Sequence, residues 1–337
     1  MTHIFRYLTP IDDGPMVGIR DDAGLYPLDV PSLGTLLASP AGDIRAAVED
    51  AVKTAPITEQ PVLLPPADGR MEIWAAGVTY TRSREARLEE SGGADFYQRV
   101  YEADRPELFF KSVPWRVVTD AEPIAIRRDS TLNVPEAELA IVVNSAAEIV
   151  GYTVCDDVSS RAIEGVNPLY LPQAKIYAGA CALAPGIRPA WEVDASDLAI
   201  TIRIIRGDSV AWEGGTRTSQ LHRPLPSLVD CLFAEENFPD GVIISTGTGI
   251  VPEMDFTLQA ADLVTIEIEQ VGSLTNPVVA GKPELGWLSS GAGRGRYDYL
   301  QVVAEMVAVA STVPFAVTSR APTGGPSPVQ AGLPHEP

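Results

Sequence analysis

The chain has 337 residues, enough for one large domain with appendages or for two ordinary ones. Apolar residues make up 45% of it, ample for a sizeable core, and 25 Lys+Arg against 45 Asp+Glu leave a formal net charge of −20. So acidic a surface repels phosphate backbones and anionic lipid headgroups, which excludes nucleic acid and membrane as expected partners; an anionic small molecule would need a metal or a local basic cluster to be held.

Cys155, Cys181 and Cys231 show no CxxC spacing, which points to a reducing compartment without disulfides. The start, MTHIFRYLTP, has no apolar stretch behind a basic one, and the apolar run Val302–Val317 is interrupted by Glu305 and Pro314. A cytoplasmic setting is the expectation.

In chain order, residues 1–68 read as a small N-terminal domain. IFRYLTP and MVGIRDDAGLYPL predict short strands about an Asp-Asp-Ala-Gly turn, residues 43–53 a helix, and VLLPPADGR a linker. Residues 69–282 follow as a second domain. MEIWAAGV predicts a strand, YTRSREARLEE and FYQRVYEA two helices, and LFFKSV a buried strand. Short strands then dominate: PIAIR, AELAIVV, IVGYTV, LAITIRIIR, GVIIST, LVTIEIEQV and NPVVA, with helical pieces at 157–164 and 226–236. That order predicts an α+β fold dominated by strands, not alternating βαβ units. Residues 283–337 form a C-terminal extension, with a helix over DYLQVVAEMVAVAS and a Pro/Gly/Ser-rich tail expected to be disordered.

The densest chemical signal is PEAELAIVVNSAAEIVGYTVCDDVSSR, residues 135–161. Glu136 and Glu138 are two apart in a strand, so their carboxylates share a face. NSAAE predicts a turn that returns the chain antiparallel, bringing one of Asp156 and Asp157 close to both glutamates. Carboxylates converging beside the apolar run LAIVV call for a cation, and oxygen-only ligation suits Mg²⁺, Mn²⁺ or Ca²⁺ better than zinc. A solvated acidic edge is the alternative.

Other residues read two ways. Lys111 ends an apolar strand and either pairs with an acid or faces an anionic ligand. Arg161, four residues after Asp157, either holds that aspartate or binds substrate. Glu107 by itself reads as a surface glutamate, Lys175 as a snorkelling lysine, and Gly247-Thr248 in STGTGIVPE as a turn whose N–H groups can hold carboxylate oxygens.

Five stretches in order, PEAELAIVV, GYTVCDDVSSR, LPQAKIYAGACALAPGI, GVIISTGTGIVPE and ADLVTIEIEQVGSL, resemble the fumarylacetoacetate hydrolase superfamily across roughly residues 71–281. The resemblance implies a rolled mixed sheet, Mg²⁺ or Mn²⁺ on Glu136, Glu138 and Asp157, and a small 2-oxo acid chelated by that ion. It places Arg161, Lys175, Gly247 and Thr248 at the pocket and implies a homodimer or homotetramer; Lys111, in its ligand-facing reading, joins Arg161, Gly247 and Thr248 as the expected substrate-binding set. GVTYTRSREAR, RVYEADRPELFFKS, RRDSTLNVPEAELA and IEGVNPLYLPQAKIYAG look like the branch of 2-keto-3-deoxy-pentonate dehydratases. In that branch the positions of Glu107 and Lys175 act as acid and base, and the product is 2,5-dioxopentanoate.

Hydrolytic members activate water with a histidine on the helix after the first core strand, yet TYTRSREARLEE has none; the chain carries only His3, His222 and His335. Dehydration, which needs no activated water, is therefore the expected reaction. A hydrolase of acylpyruvates or 2,4-dioxo acids, or a related isomerase or decarboxylase, is the alternative, with Glu85 or Glu89 as base.

Overall fold

A computed structural model describes residues 1–9, 14–58, 61–82 and 96–289. The expected helix YTRSREARLEE falls largely on residues outside this set, as do Glu85, Glu89, the expected helix at 298–311 and the tail.

The molecule is organised around three strands that have no wet face. β9 (Ala137–Val143) is buried at every position, as are the eight residues of β10 (Ile149–Asp157) that follow Ile149, and all of β16 (Val242–Ser245). Their Val/Ile/Leu content suits a central position, because such a strand packs with both sides of its pleat. The turn between β9 and β10 forms as expected: Asn144 Oδ1 accepts the N–H groups of Ala146 and Glu148, while Ala147 takes a left-handed conformation at φ 61°.

Outward from this centre the sheet runs β3 (Leu25–Pro27), β2 (Met16–Arg20), β1 (His3–Leu8), β13 (Gly186–Pro189), β10, β9, β16, β5 (Glu72–Gly77) and β6 (Glu107–Ser112). β4 (Val62–Leu64) adds to β1, and β12 (Cys181–Leu183) to β10. β16 runs antiparallel to β9 and parallel to β5, so the sheet is mixed. A second sheet orders β15 (Ser209–Arg217), β14 (Ala199–Arg206), β17 (Leu263–Ile268), β18 (Gly272–Ala280) and β7 (Ile124–Ile126). β8 (Asn133–Val134) and β11 (Ser159–Ser160) form a two-stranded ribbon.

Alternation along β9 divides two apolar cores. Leu139, Ile141 and Val143 pack toward Ile200, Ile202 and Ile204 of β14 and Val264, Ile266 and Ile268 of β17. Ala140 and Val142 pack on the other face with Ile19, Leu33, Ile44 and Val48, the last two on the helix Ala41–Ala51. The fold is thus α+β and strand-dominated, as its pattern of short alternating runs predicts.

Two local expectations change. Val62–Leu64, read as linker, is a strand paired to β1 in the register Arg6↔Leu64 and Leu8↔Val62; its prolines and glycine lie just outside the paired residues. The helical piece expected over 157–164 spans Arg161–Val166 instead. Residues 157 and 159–160 are extended because Asp157 pairs with Cys181 of β12 and Ser159–Ser160 with β8; Ser160 Oγ then accepts Ile163 N–H and starts the helix. The strands β12, β13 and β15 had no matching expectation; β15, WEGGTR at its end, is an exposed edge strand without an apolar period.

Gly151 of β10 lies against β13, where a Cβ would overlap Ile187 Cγ2 and sit 3.0 Å from Arg188 O. Replacing Gly151→Ala should cost about 1–3 kcal/mol by overpacking this joint. Urea unfolding checks it, and a variant within about 0.5 kcal/mol of the parent would show that the joint is not close-packed.

Candidate metal centre

The register of one hairpin assembles the acids. Cys155 of β10 lies opposite Glu138 of β9, and Asp157 N–H donates to Glu136 O at 3.0 Å. Asp157 therefore stands across from Glu136 on the face shared with Glu138, whereas Asp156 turns to the other face. All three carboxylates are buried, and each offers an oxygen lying within 4.8 Å of the other two.

Each acid has a distinct environment. Glu138 Oε2 accepts from Ser245 Oγ at 2.5 Å and Gly247 N–H at 2.8 Å, both neutral donors from β16 and the loop after it. Among the described residues no cation lies in ion-pair range of Glu138. Burial, and then the charges of Asp157 and Glu136, push its carboxyl well above the ordinary range. Glu136 and Asp157 share Lys175, whose Nζ donates to Glu136 Oε2 at 2.8 Å and Asp157 Oδ2 at 3.0 Å. Arg161 Nη2 lies 3.7 Å from Glu136 Oε1. Lys111 Nζ pairs with Asp157 Oδ1 and donates to Lys175 O at 2.6 Å. Behind them Asp156, which accepts Glu136 N–H at 3.0 Å, is pushed up to about 8 by desolvation.

This set fits a hard dication. It is all oxygen, it is preformed by strand register, and it includes a fully buried carboxylate whose protein partners are neutral.

Glu107, Glu136, Asp157, Arg161, Lys175, Gly247 and Thr248 line one narrow cleft over this cluster. Lys111 is apart from them, 1% exposed beneath Asp157 in the paired arrangement rather than the ligand-facing one. Arg161 faces Glu136 and not Asp157, because residues 157–160 are extended. Two residues escape the sequence reading. Glu164 is buried, lines the cleft, and follows Arg161 by three on the helix Arg161–Val166, a spacing that shows only once the helix start is known. Ser245 precedes Gly247 by two and meets Glu138 only through sheet pairing. A larger hollow of about 760 Å³, lined by Asp68, Trp115 and Trp287 among others, has none of these acids, so chemistry and not size locates the site.

Residues 72–279 match the family described as fumarylacetoacetate (FAA) hydrolase, C-terminal. The chain belongs to this family. Within it, the chain is 44% identical over 212 residues to a 2-dehydro-3-deoxy-D-arabinonate dehydratase of Saccharolobus solfataricus, covering 61% of this chain and 71% of that protein. It is 48% identical over 208 residues to a probable 2-keto-3-deoxyxylonate dehydratase of Haloferax volcanii, covering 61% and 72%. A solved 2-keto-3-deoxy-D-arabinonate dehydratase complexed with magnesium and 2,5-dioxopentanoate superimposes with a TM-score of 0.70 at 34% identity, over 83% of this chain and 99% of that one.

The buried acids make stability depend on pH. Folded Glu138 and Asp156 hold protons at pH values where the unfolded chain, with carboxyls near about 4, has lost them. The metal-free fold therefore binds more protons than the unfolded state, and each group costs stability as pH rises from about 4 toward its folded pKa, about 8 for Asp156. Melting of the chelated protein should weaken across that window, and Mg²⁺ should raise the melting temperature more at the alkaline end of it than at the acid end. Equal Mg²⁺ shifts at both ends would count against proton–metal competition.

Proposed function

We propose that this chain is a metal-dependent hydro-lyase that dehydrates a 2-keto-3-deoxy-pentonate to 2,5-dioxopentanoate. Mg²⁺, or Mn²⁺ in its place, is held by Glu136, Glu138 and Asp157. The observation that carries this reading is that Glu107 and Lys175 face one cleft above the three-carboxylate cluster. The similarity to dehydratases, one of them solved with magnesium and 2,5-dioxopentanoate, supports the substrate class.

The dication, when bound, supplies Lewis-acid polarisation of the 2-oxo group and so acidifies C3. Arg161 and the loop at Gly247-Thr248 orient the substrate's anionic end. Lys111 acts from below, neutralising Asp157 and anchoring the Lys175 carbonyl. Glu107 and Lys175 divide the proton transfers: one takes a C3 proton, and the other delivers a proton to the C4 hydroxyl as it leaves as water. The resulting C3–C4 double bond shifts when a proton leaves C5 and another joins C3, and the C5 enol then ketonises to the aldehyde. One water leaves and no oxidant or reductant is needed.

The hydrolytic reading has less support. Of the three histidines, His3 bonds Val271 O through Nε2 and His222 stacks on Tyr101 at 4.3 Å; neither lines the cleft.

We further propose a homodimer or homotetramer in the cytoplasm, the exposed apolar side chains Val166, Leu169 and Tyr170 being suited to cover by another copy. No helix among the described residues is long and apolar enough to cross a membrane. Light scattering of the purified chain checks the assembly, a monomer at working concentration refuting it.

Incubation with Mg²⁺ and 2-keto-3-deoxy-pentonates should yield 2,5-dioxopentanoate, and a chelator should abolish turnover; acylpyruvate cleavage instead would favour the hydrolase. Glu107→Gln and Lys175→Met should each lower kcat by about 10²–10⁴. The variant that still exchanges C3 protons with deuterated water without dehydration has lost the acid; the one that exchanges none has lost the base. Full activity in Glu107→Gln would remove that residue from the mechanism.

A further inference from the structure

Gly77 ends β5 directly opposite Glu107, the first residue of β6. Paired residues of an antiparallel ladder project to the same face about 4.5–5.5 Å apart, so a side chain at 77 would stand beside that of Glu107. A Cβ built on Gly77 overlaps Glu107 Oε2 and lies 2.8 Å from Cδ and 3.4 Å from Cγ. The Glu107 carboxylate therefore lies back across β5, in space that only a glycine leaves, and both residues line the cleft. Backbone conformation does not require this glycine, because Gly77 is absent from the positive-φ residues. Clearance does.

The segment after it is held firmly. Val78, also lining the cleft, has φ 52°, a left-handed conformation that a β-branched residue adopts only where its surroundings impose it. Thr79 secures the turn from both sides: its Oγ1 donates to Thr246 O at 2.7 Å, and its carbonyl accepts His222 N–H at 2.9 Å. The bond to Thr246 O seats the loop that carries Gly247, the donor to Glu138. The end of β5 is thus fixed in place, and the Glu107 side chain is the part that can yield.

We propose that Gly77 is a positioning residue for the dehydration: its missing side chain seats the Glu107 carboxylate over the cleft. This rests on the reading of Glu107 as acid or base. The colliding atoms are the far end of a flexible side chain, so Gly77→Ala displaces the carboxylate while the strands stay paired.

The test is a mutant cycle on the full chain with Mg²⁺ and a 2-keto-3-deoxy-pentonate, using Gly77→Ala, Glu107→Gln, Glu107→Asp and the doubles. Gly77→Ala should lower kcat by about tenfold or more, with KM and the Mg²⁺ binding constant within about twofold, and should melt like the parent. Gly77→Ala with Glu107→Gln should be no slower than Glu107→Gln alone, because both remove the same contribution. Glu107→Asp, harmful in the parent, should restore part of kcat in the Gly77→Ala background, since its shorter arm withdraws from the added methyl. Parent-like kcat in Gly77→Ala, multiplying losses in the double, no rescue by Glu107→Asp, or a Gly77→Ala chain that does not fold would each overturn the proposal. Full activity of Glu107→Gln alone marks the separate failure of the acid/base reading, and this inference falls with it.

Discussion

The pairing of β9 with β10 governs the rest of the site. With Cys155 opposite Glu138 and Asp157 N–H bonded to Glu136 O, three carboxylates face the same way at the end of a hairpin buried along almost its whole length. A slip of one residue would exchange Asp157 for Asp156 and point the cluster's third acid into the other core. Register is secured by the complete burial of β9, whose two faces serve two different cores.

Around that hairpin the charges are graded. Asp157 and Glu136 are met by Lys111, Lys175 and Arg161, while Glu138 meets a hydroxyl and a backbone amide. The neutral donors to Glu138 do not offset its burial and the two neighbouring acids, so a cation coming to it favours the anion, which a preformed oxygen site arranges. Lys111 and Lys175 are also linked in series: the first donates to the main-chain carbonyl of the second. The side chain facing the cleft is thereby set by one buried beneath it, an arrangement that ties proton transfer to the integrity of the acid cluster.

Much of this was legible in the residues. Period-two spacing placed Glu136 and Glu138 on one face, NSAAE marked the turn, and the apolar runs marked the strands, because these are local properties of a pleated chain. Val62–Leu64 was obscured by the prolines after it, and the start of the helix at Arg161 by the ladder partners β8 and β12, which hold the preceding residues extended. Glu107, alone, resembles any surface glutamate; the resemblance to a family, and not its spacing, singled it out.

The sequence by itself determined the strand-dominated class, the acidic hairpin and the kind of ion it suits, since each follows from neighbours a few residues apart. Tertiary structure decided which groups meet. Ser245 reaches Glu138 from 107 residues away because β16 lies beside β9, whereas β6, at the sheet edge beyond β5, meets the cluster through Lys111, which reaches Asp157 and the Lys175 carbonyl. It also decided that Lys111 lies under Asp157 while Lys175 faces the cleft, although both are lysines beside apolar residues. Strand order comes from how whole faces bury against one another, and no local pattern encodes it.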